Sequence, residues 1–279
     1  VTVVTRTTGS QRGFSVVELM VAMLLSLILL AGVVTVVASS KVTYAENERV
    51  ARLQETGRVA IELILRDVRA AGFRGCAREV PFRNLLNDAN ELLWNFAEAL
   101  QGFESLDAPG STVGGSWAPA LPGALVPNAI GGNDVLVVRS SAVGASTFGL
   151  ATSMASPTGP LVVFDDQQPP LASGQPLLLS DCSAAAVFAF TGSSAVAPVA
   201  GAPALELQRA GPVSSGPGNA TEDLGTEFPL GAQIVPIDTI IYYIAPASDG
   251  GGPALWRRFG AAAPVELVAG VEGLQVLYG

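Results

Sequence analysis

The 279-residue chain carries 24 acidic against 15 basic residues, a net charge of −9, and 49% of its residues are hydrophobic. With Lys41 as its lone lysine it lacks the clustered cations that a phosphate backbone requires, which argues against direct nucleic-acid binding. Histidine is absent, which removes Ser-His-Asp and Cys-His nucleophile systems, His-ligated zinc and the commonest general base.

In chain order, the first segment is a short leader containing Arg6 and Arg12, followed by an apolar run from Phe14 to Ala38 in which Glu18 is the only charged residue. As a helix such a run spans a hydrocarbon core of about 30 Å. Arg6 and Arg12, with no acidic residue beside them, place the N-terminus on the cytoplasmic side and the rest of the chain outside; Lys41 slightly weakens that asymmetry. A carboxylate near hydrocarbon costs roughly 2.5–3.5 kcal/mol on insertion scales, so Glu18 requires a partner. A cut between Gly13 and Phe14 supplies one, because the new α-amine of Phe14 can meet Glu18 of a neighbouring copy.

Two blander readings compete. A secretory signal has an apolar stretch of about 7–15 residues before a small-residue cleavage site, and this run is longer, although Ala31-Gly32 and Ala38-Ser39 mimic such a site. A plain single-pass anchor accounts for the length but explains neither Glu18 nor the Gly13-Phe14 junction. A basic leader ending in Gly13, then Phe14, with Glu18 as the fifth residue of the run, resembles the type III signal of the type IV pilin and pseudopilin family. The resemblance implies cleavage after Gly13 and N-methylation of Phe14 by a prepilin peptidase, with Glu18 setting the register between subunits.

After the apolar run, Val50, Leu53, Gly57, Ala60, Ile61, Ile64, Val68 and Ala71 recur at spacings of three and four, the stripe of an amphipathic helix. Charged residues including Arg58, Glu62, Arg66, Asp67 and Arg69 fill the opposite face, and Glu62 to Arg66 is a favourable i,i+4 pair. No proline precedes Pro81, so one helix of about 85 Å is expected from Ser15 to Ala71, stopped by Gly72 and Gly75. Asn84 to Leu100 is expected to carry a short helix. The Gly- and Pro-punctuated stretch beyond it, through Gly132, reads as loop.

From Asn133 the texture turns to β. Asp134–Arg139, Leu161–Phe164, Pro176–Ser180, Ala186–Thr191, Ala204–Gln208, Ala232–Ile244, Ala254–Phe259 and Val265–Val268 are the expected strands. An antiparallel sheet packed on the amphipathic half-helix accounts for both patterns, which gives an α+β fold. The expected layout is a leader (1–13), an apolar half-helix (14–38), an amphipathic half-helix (39–75), a variable connector (76–132) and a β-rich domain (133–279).

Cys76 and Cys182 are the only cysteines, both in the exported part, and in an oxidising compartment two such residues pair rather than remain as free buried thiols. Closing that loop contributes roughly 4–5 kcal/mol on the chain-entropy model.

Several stretches are similar to PilW-type minor pilins: Arg52 to Arg58, Arg66 to Cys76, Asn133 to Leu136, Ser180-Asp181-Cys182, Ala254 to Arg258 and Gly270 to Gly279. The resemblance puts both cysteines at the family's positions, which supports the Cys76–Cys182 disulfide. Members run on past the Leu277-Tyr278-Gly279 stretch with a Gly/Asp-rich turn and further strands, so the resemblance implies a C-terminally truncated domain. It implies a structural, non-catalytic minor pilin that primes or caps a type IV pilus, sits first in the inner membrane with its C-terminal domain periplasmic, and passes into the pilus. The implied partners are the prepilin peptidase and other minor and major pilins, with no direct nucleic-acid ligand. The alternatives are a J-type pseudopilin of type II secretion and a membrane-anchored binding or adhesin domain.

No catalytic or cofactor motif is expected. Asp165-Asp166 and Glu222-Asp223 are adjacent carboxylates without the convergence that acid/base chemistry needs. The Asp249-Gly250-Gly251-Gly252 stretch lacks the alternating ligands of a calcium loop, no phosphate-binding glycine loop precedes a helix, and no metal site is read.

Overall fold

The computed structural model describes residues 13–75, 80–110, 112–142, 144–166 and 170–277. One helix, α1 (Val16–Arg69), is followed by β1 (Phe82–Asn84), β2 (Leu100–Ser105), β3 (Trp117–Ala118), β4 (Val135–Ser141), β5 (Phe148–Gly149), β6 (Leu161–Phe164) and β7 (Pro176–Ser180). Then come β8 (Ala185–Ala189), β9 (Gly192–Val199), β10 (Ala202–Gln208), β11 (Gln233–Pro246), β12 (Pro253–Phe259) and β13 (Val265–Ala269). The fold is α+β and pilin-like, a long N-terminal helix followed by a mostly antiparallel sheet domain. The chain divides into two units, residues 1–55 and residues 56–279.

In the first unit the backbone of α1 starts beneath Ser15, whose hydroxyl accepts the Val17 N–H at 3.3 Å. The most apolar 18-residue window has a mean hydropathy of 2.8 and is nowhere buried by protein. The hydroxyls within it turn back onto the helix: Ser26 donates to the Ala22 carbonyl and Thr35 to the Gly32 carbonyl, both at 2.7 Å. Those bonds leave a surface fit for hydrocarbon, because no polar side-chain hydrogen stays without an acceptor. Farther along, Arg52–Glu48 (2.7 Å) and Arg49–Glu46 (3.1 Å) pair along the exposed helix surface.

In the second unit the last turns of α1 cover one face of a sheet whose hydrogen-bonded order is β1-β8-β7-β11-β4-β2-β3, with β12 and then β13 added beside the C-terminal part of β11. Leu136 and Val138 of β4 and Ile240, Tyr242 and Ile244 of β11 form a core with Ala60, Ile64 and Val68 of the helix and Ala71 just beyond it. The alternate residues, Val135, Val137, Ile241, Tyr243 and Ala245, pack on the other side against Phe103, Trp117, Val126 and Ala129. Because both faces are covered, β4 opens with an uninterrupted apolar run, Val135 to Val138, rather than an alternating one.

β11 is shared between two groups of strands. Gln233 to Pro236 pair with β7, whereas Ile237 to Tyr242 pair with β4 and Ile240 to Pro246 with β12. Pro236, which has no N–H to donate, falls at the changeover, where a missing ladder bond is tolerated. A separate three-stranded sheet has the order β6-β10-β9.

The helix ends as its glycines require. Gly72 has φ +67, donates its N–H to the Arg139 carbonyl at 2.9 Å, and would place a Cβ 2.8 Å from that of Ala99.

Three expectations are corrected. Residues 84–100 form successive turns instead of a short helix. The stretch read as loop supplies β3 and most of β2, which begins at Leu100, where the short helix was expected to end; β3 pairs with β2, and β2 with β4. β1, β5 and β9 were absent from the expected strands, β1 and β5 because they are only three and two residues long, β9 because its Gly, Ser and Ala residues give no apolar alternation. One pair, β1 with β8, is parallel.

Candidate functional site

Gly13 and Phe14 lie just before α1, and Glu18 is in its first turn. Phe14 is 81% exposed. A Cβ at Gly13 would meet no described atom within 4 Å. Glu18 enters no ion pair among the described residues. Phe14, just before α1, and Glu18, in its first turn, therefore stand four residues apart on an exposed apolar segment, with the carboxylate unmatched among the described residues.

A second constellation was missed in the sequence. Asp67 was assigned to the polar face of the helix, but it is 4% exposed and sits amid the apolar stripe. The Tyr242 hydroxyl donates to its Oδ2 at 2.5 Å, Arg66 Nε donates to Oδ1 at 3.0 Å, and Arg257 stands 3.7 Å away. Burial raises the Tyr242 phenol, and its hydrogen bond to Asp67 raises it further, so it remains a donor. The Arg257 guanidinium also lies 4.4 Å from the Phe259 ring centroid. This group joins α1 to β11 and β12 by charge-assisted contacts. Ile61, assigned to the stripe, is instead 59% exposed. The signal for Asp67 was present, since it lies three residues after Ile64 and four before Ala71, but a carboxylate at that spacing is ordinarily solvated.

A third constellation holds the C-terminal segment. Asp134 Oδ1 accepts the Ser105 N–H at 3.0 Å and Oδ2 the Val276 N–H at 2.9 Å, while Asn133 Oδ1 accepts the Leu274 N–H at 3.0 Å. Both side chains are buried. Both precede β4 directly; Asp134 reaches β2, and both reach residues 274–276.

Cys76 lies outside the described residues. Cys182 lies in the turn between β7 and β8 and is not a free thiol. Asp181 shapes that turn by accepting the Ser183 N–H, the Ser183 hydroxyl and the Ala184 N–H, each at 2.8 Å. Burial pushes the Asp181 carboxyl up, but these three bonds outweigh it and hold the group below the usual carboxylate range.

The adjacent carboxylates do not converge. Asp223 pairs with Arg83 at 3.5 Å, and the neighbouring Glu222 is held by its backbone carbonyl on Arg209 Nε. Asp249 closes its own turn on the Gly251 N–H at 2.7 Å. Among the described residues no group of three or more Asp, Glu, Cys or His is placed to hold a metal ion.

Comparison with known families isolates the first constellation. Residues 9–34 carry the prokaryotic N-terminal methylation motif. The motif spans Gly13, Phe14 and Glu18 and supports a type IV pilin or pseudopilin, a structural protein processed by a peptidase and anchored by its apolar helix. No curated protein and no solved structure matches the chain.

Proposed function

We propose that the chain is a minor pilin of the PilW type, taking part in the initiation or tip complex of a type IV pilus. The observation that carries this reading is the methylation motif at residues 9–34, fused to a helix whose apolar window none of the described residues covers. A surface of that kind needs either lipid or the apolar helices of other subunits around it, because each exposed Leu or Val forfeits about 1.5–3 kcal/mol of burial. Cleavage between Gly13 and Phe14 by a prepilin peptidase frees the Phe14 amine, which becomes N-methylated. That positive charge and Glu18 of a neighbouring subunit then provide the pairing that Glu18 does not find among the described residues.

Before assembly the helix crosses the inner membrane with its N-terminus cytoplasmic and the β-rich domain periplasmic, as the leader arginines favour. Assembly moves the helix from lipid into a filament core, where it meets other minor and major pilins. The Cys76–Cys182 disulfide belongs to the same reading. It is supported by the exported location and by the backbone just before residue 76, where a Cβ at Gly75 would collide with Ser180 Oγ beside the turn that holds Cys182.

The test is the intact mass of protein purified from membranes, with and without a prepilin peptidase. The expected result is peptidase-dependent loss of residues 1–13, a gain of about one methyl group, and a mass about 2 Da below that of the reduced chain. An uncut chain in the presence of active peptidase, or cleavage near Ala38, would overturn the pilin reading. Glu18→Ala is expected to leave the protein in the membrane and out of sheared filaments. Undiminished recovery in filaments would remove Glu18 from assembly, and neither processing nor filament dependence would leave the anchored binding domain.

A further inference from the structure

A surface groove in the 56–279 unit combines features that pilus assembly does not use. It encloses about 560 Å3, and its wall includes Trp94, Gln175, Asp238, Phe259 and Gly260. Clefts for small ligands span about 300–1,000 Å3.

The carboxylate in this wall lacks a counter-ion. Asp238 Oδ1 accepts the Thr239 N–H at 2.8 Å, and the side chain enters no ion pair among the described residues. Burial pushes its carboxyl up to about 6, which leaves it ionised at neutral pH yet partly stripped of water. The cations nearest in sequence and strand pairing, Arg139, Arg257 and Arg258, are each directed elsewhere, Arg139 onto the Leu92 and Glu98 carbonyls. Arg257 serves Asp67 and the Phe259 ring, and Arg258 donates to the carbonyls of Gly260, Ala261 and Ala124. With Phe259 facing Arg257, the half-buried Trp94 is the other aromatic residue in the groove wall, and indole is the strongest of the aromatic rings for cations. The chain's net charge of −9 adds a long-range attraction of the same sign. A neutral ligand would fill the groove and leave the desolvated carboxylate unanswered.

We propose that this groove binds a small organic cation whose alkylammonium group is shared by the Asp238 carboxylate and the Trp94 ring. The proposal is independent of the pilus reading and survives if that reading fails.

The test uses the full chain, labelled with 5-fluorotryptophan, in a non-ionic detergent. Tetramethylammonium chloride is titrated against sodium chloride at matched ionic strength, with the Trp94 fluorine resonance assigned through Trp94→Phe. The expected result is a saturable shift of the Trp94 resonance with tetramethylammonium alone, weakened at least tenfold in Asp238→Asn, which retains the acceptor for the Thr239 N–H. A neutral isostere, tert-butanol, is expected to leave the resonance in place. Absence of saturation, equal binding by Asp238→Asn, or an equal response to tert-butanol would each overturn the proposal.

Discussion

The contact of Asp67 with Tyr242 gives the sharpest test of how the helix is held. Tyr242 is fully buried, and its ring packs between the helix and β11. Replacing it with Phe keeps that packing and deletes one hydroxyl. The deletion leaves Asp67 Oδ2 buried and dependent on Arg257 at 3.7 Å, beyond hydrogen-bond reach. Hydrogen bonds to charged groups contribute about 1.5–3 kcal/mol, and the deleted bond leaves a carboxylate oxygen without a donor, so the expected loss is near 3 kcal/mol. Asp67→Ala is expected to cost more, about 3–5 kcal/mol in all, because it leaves the Arg257 guanidinium partly buried and without its carboxylate. The two changes share one interaction, and the double mutant is therefore expected to lie well short of their sum, with a coupling of about 1–3 kcal/mol.

Tyr243 provides the internal control. It is equally buried, on the opposite face of β11, and its hydroxyl makes no hydrogen bond among the described residues. Tyr243→Phe is expected to change stability by less than about 0.5 kcal/mol by comparison. The assay is urea unfolding of the full chain in non-ionic detergent, followed by near-ultraviolet circular dichroism, with unchanged slopes required before midpoints are compared. Equal midpoints for Tyr242→Phe and Tyr243→Phe, or strict additivity with Asp67→Ala, would refute the proposed role of the buried carboxylate.

Further outcomes follow from the other buried groups. Asp134→Ala removes the acceptor of two backbone N–H groups, those of Ser105 and Val276, and should reduce stability by about 2–4 kcal/mol, with hydrogen exchange accelerating first at residues 274–276. Asp238 has its folded-state carboxyl raised from 3.8 to about 6, so the folded state resists its ionisation. The stability associated with its protonated form is full below pH about 4 and is lost as the pH rises through about 6, by at most ~3 kcal/mol. Asp238→Asn should flatten the pH profile of the unfolding midpoint over that window and raise the midpoint at pH 7; a profile as steep as the parent's would contradict this. Gly72→Ala combines φ +67 with a Cβ 2.8 Å from Ala99 and should cost about 1–3 kcal/mol in the same unfolding assay.

The membrane-type helix, the signal at Gly13, Phe14 and Glu18 and the end of α1 near Gly72 were legible because each depends on neighbours in sequence. A run of apolar residues sets its own solvent requirement, and a glycine at a helix end sets its own φ. The strands β4, β6 and β7 were legible for a related reason: their apolar side chains sit between turn residues that break the chain locally. Tertiary structure decided the rest. The short strands β2 and β3 have little strand character of their own and exist because each finds a neighbouring strand, β4 for β2 and β2 for β3. β11 reads as one strand, yet its two parts pair with β7 and β4 in succession, a choice made by partners distant in sequence. Asp67 looks like one more charge on a solvated helix. Only the arrival of Tyr242 and Arg257 from β11 and β12 makes its burial tolerable, because a desolvated carboxylate persists only where donors and cations converge on it in space.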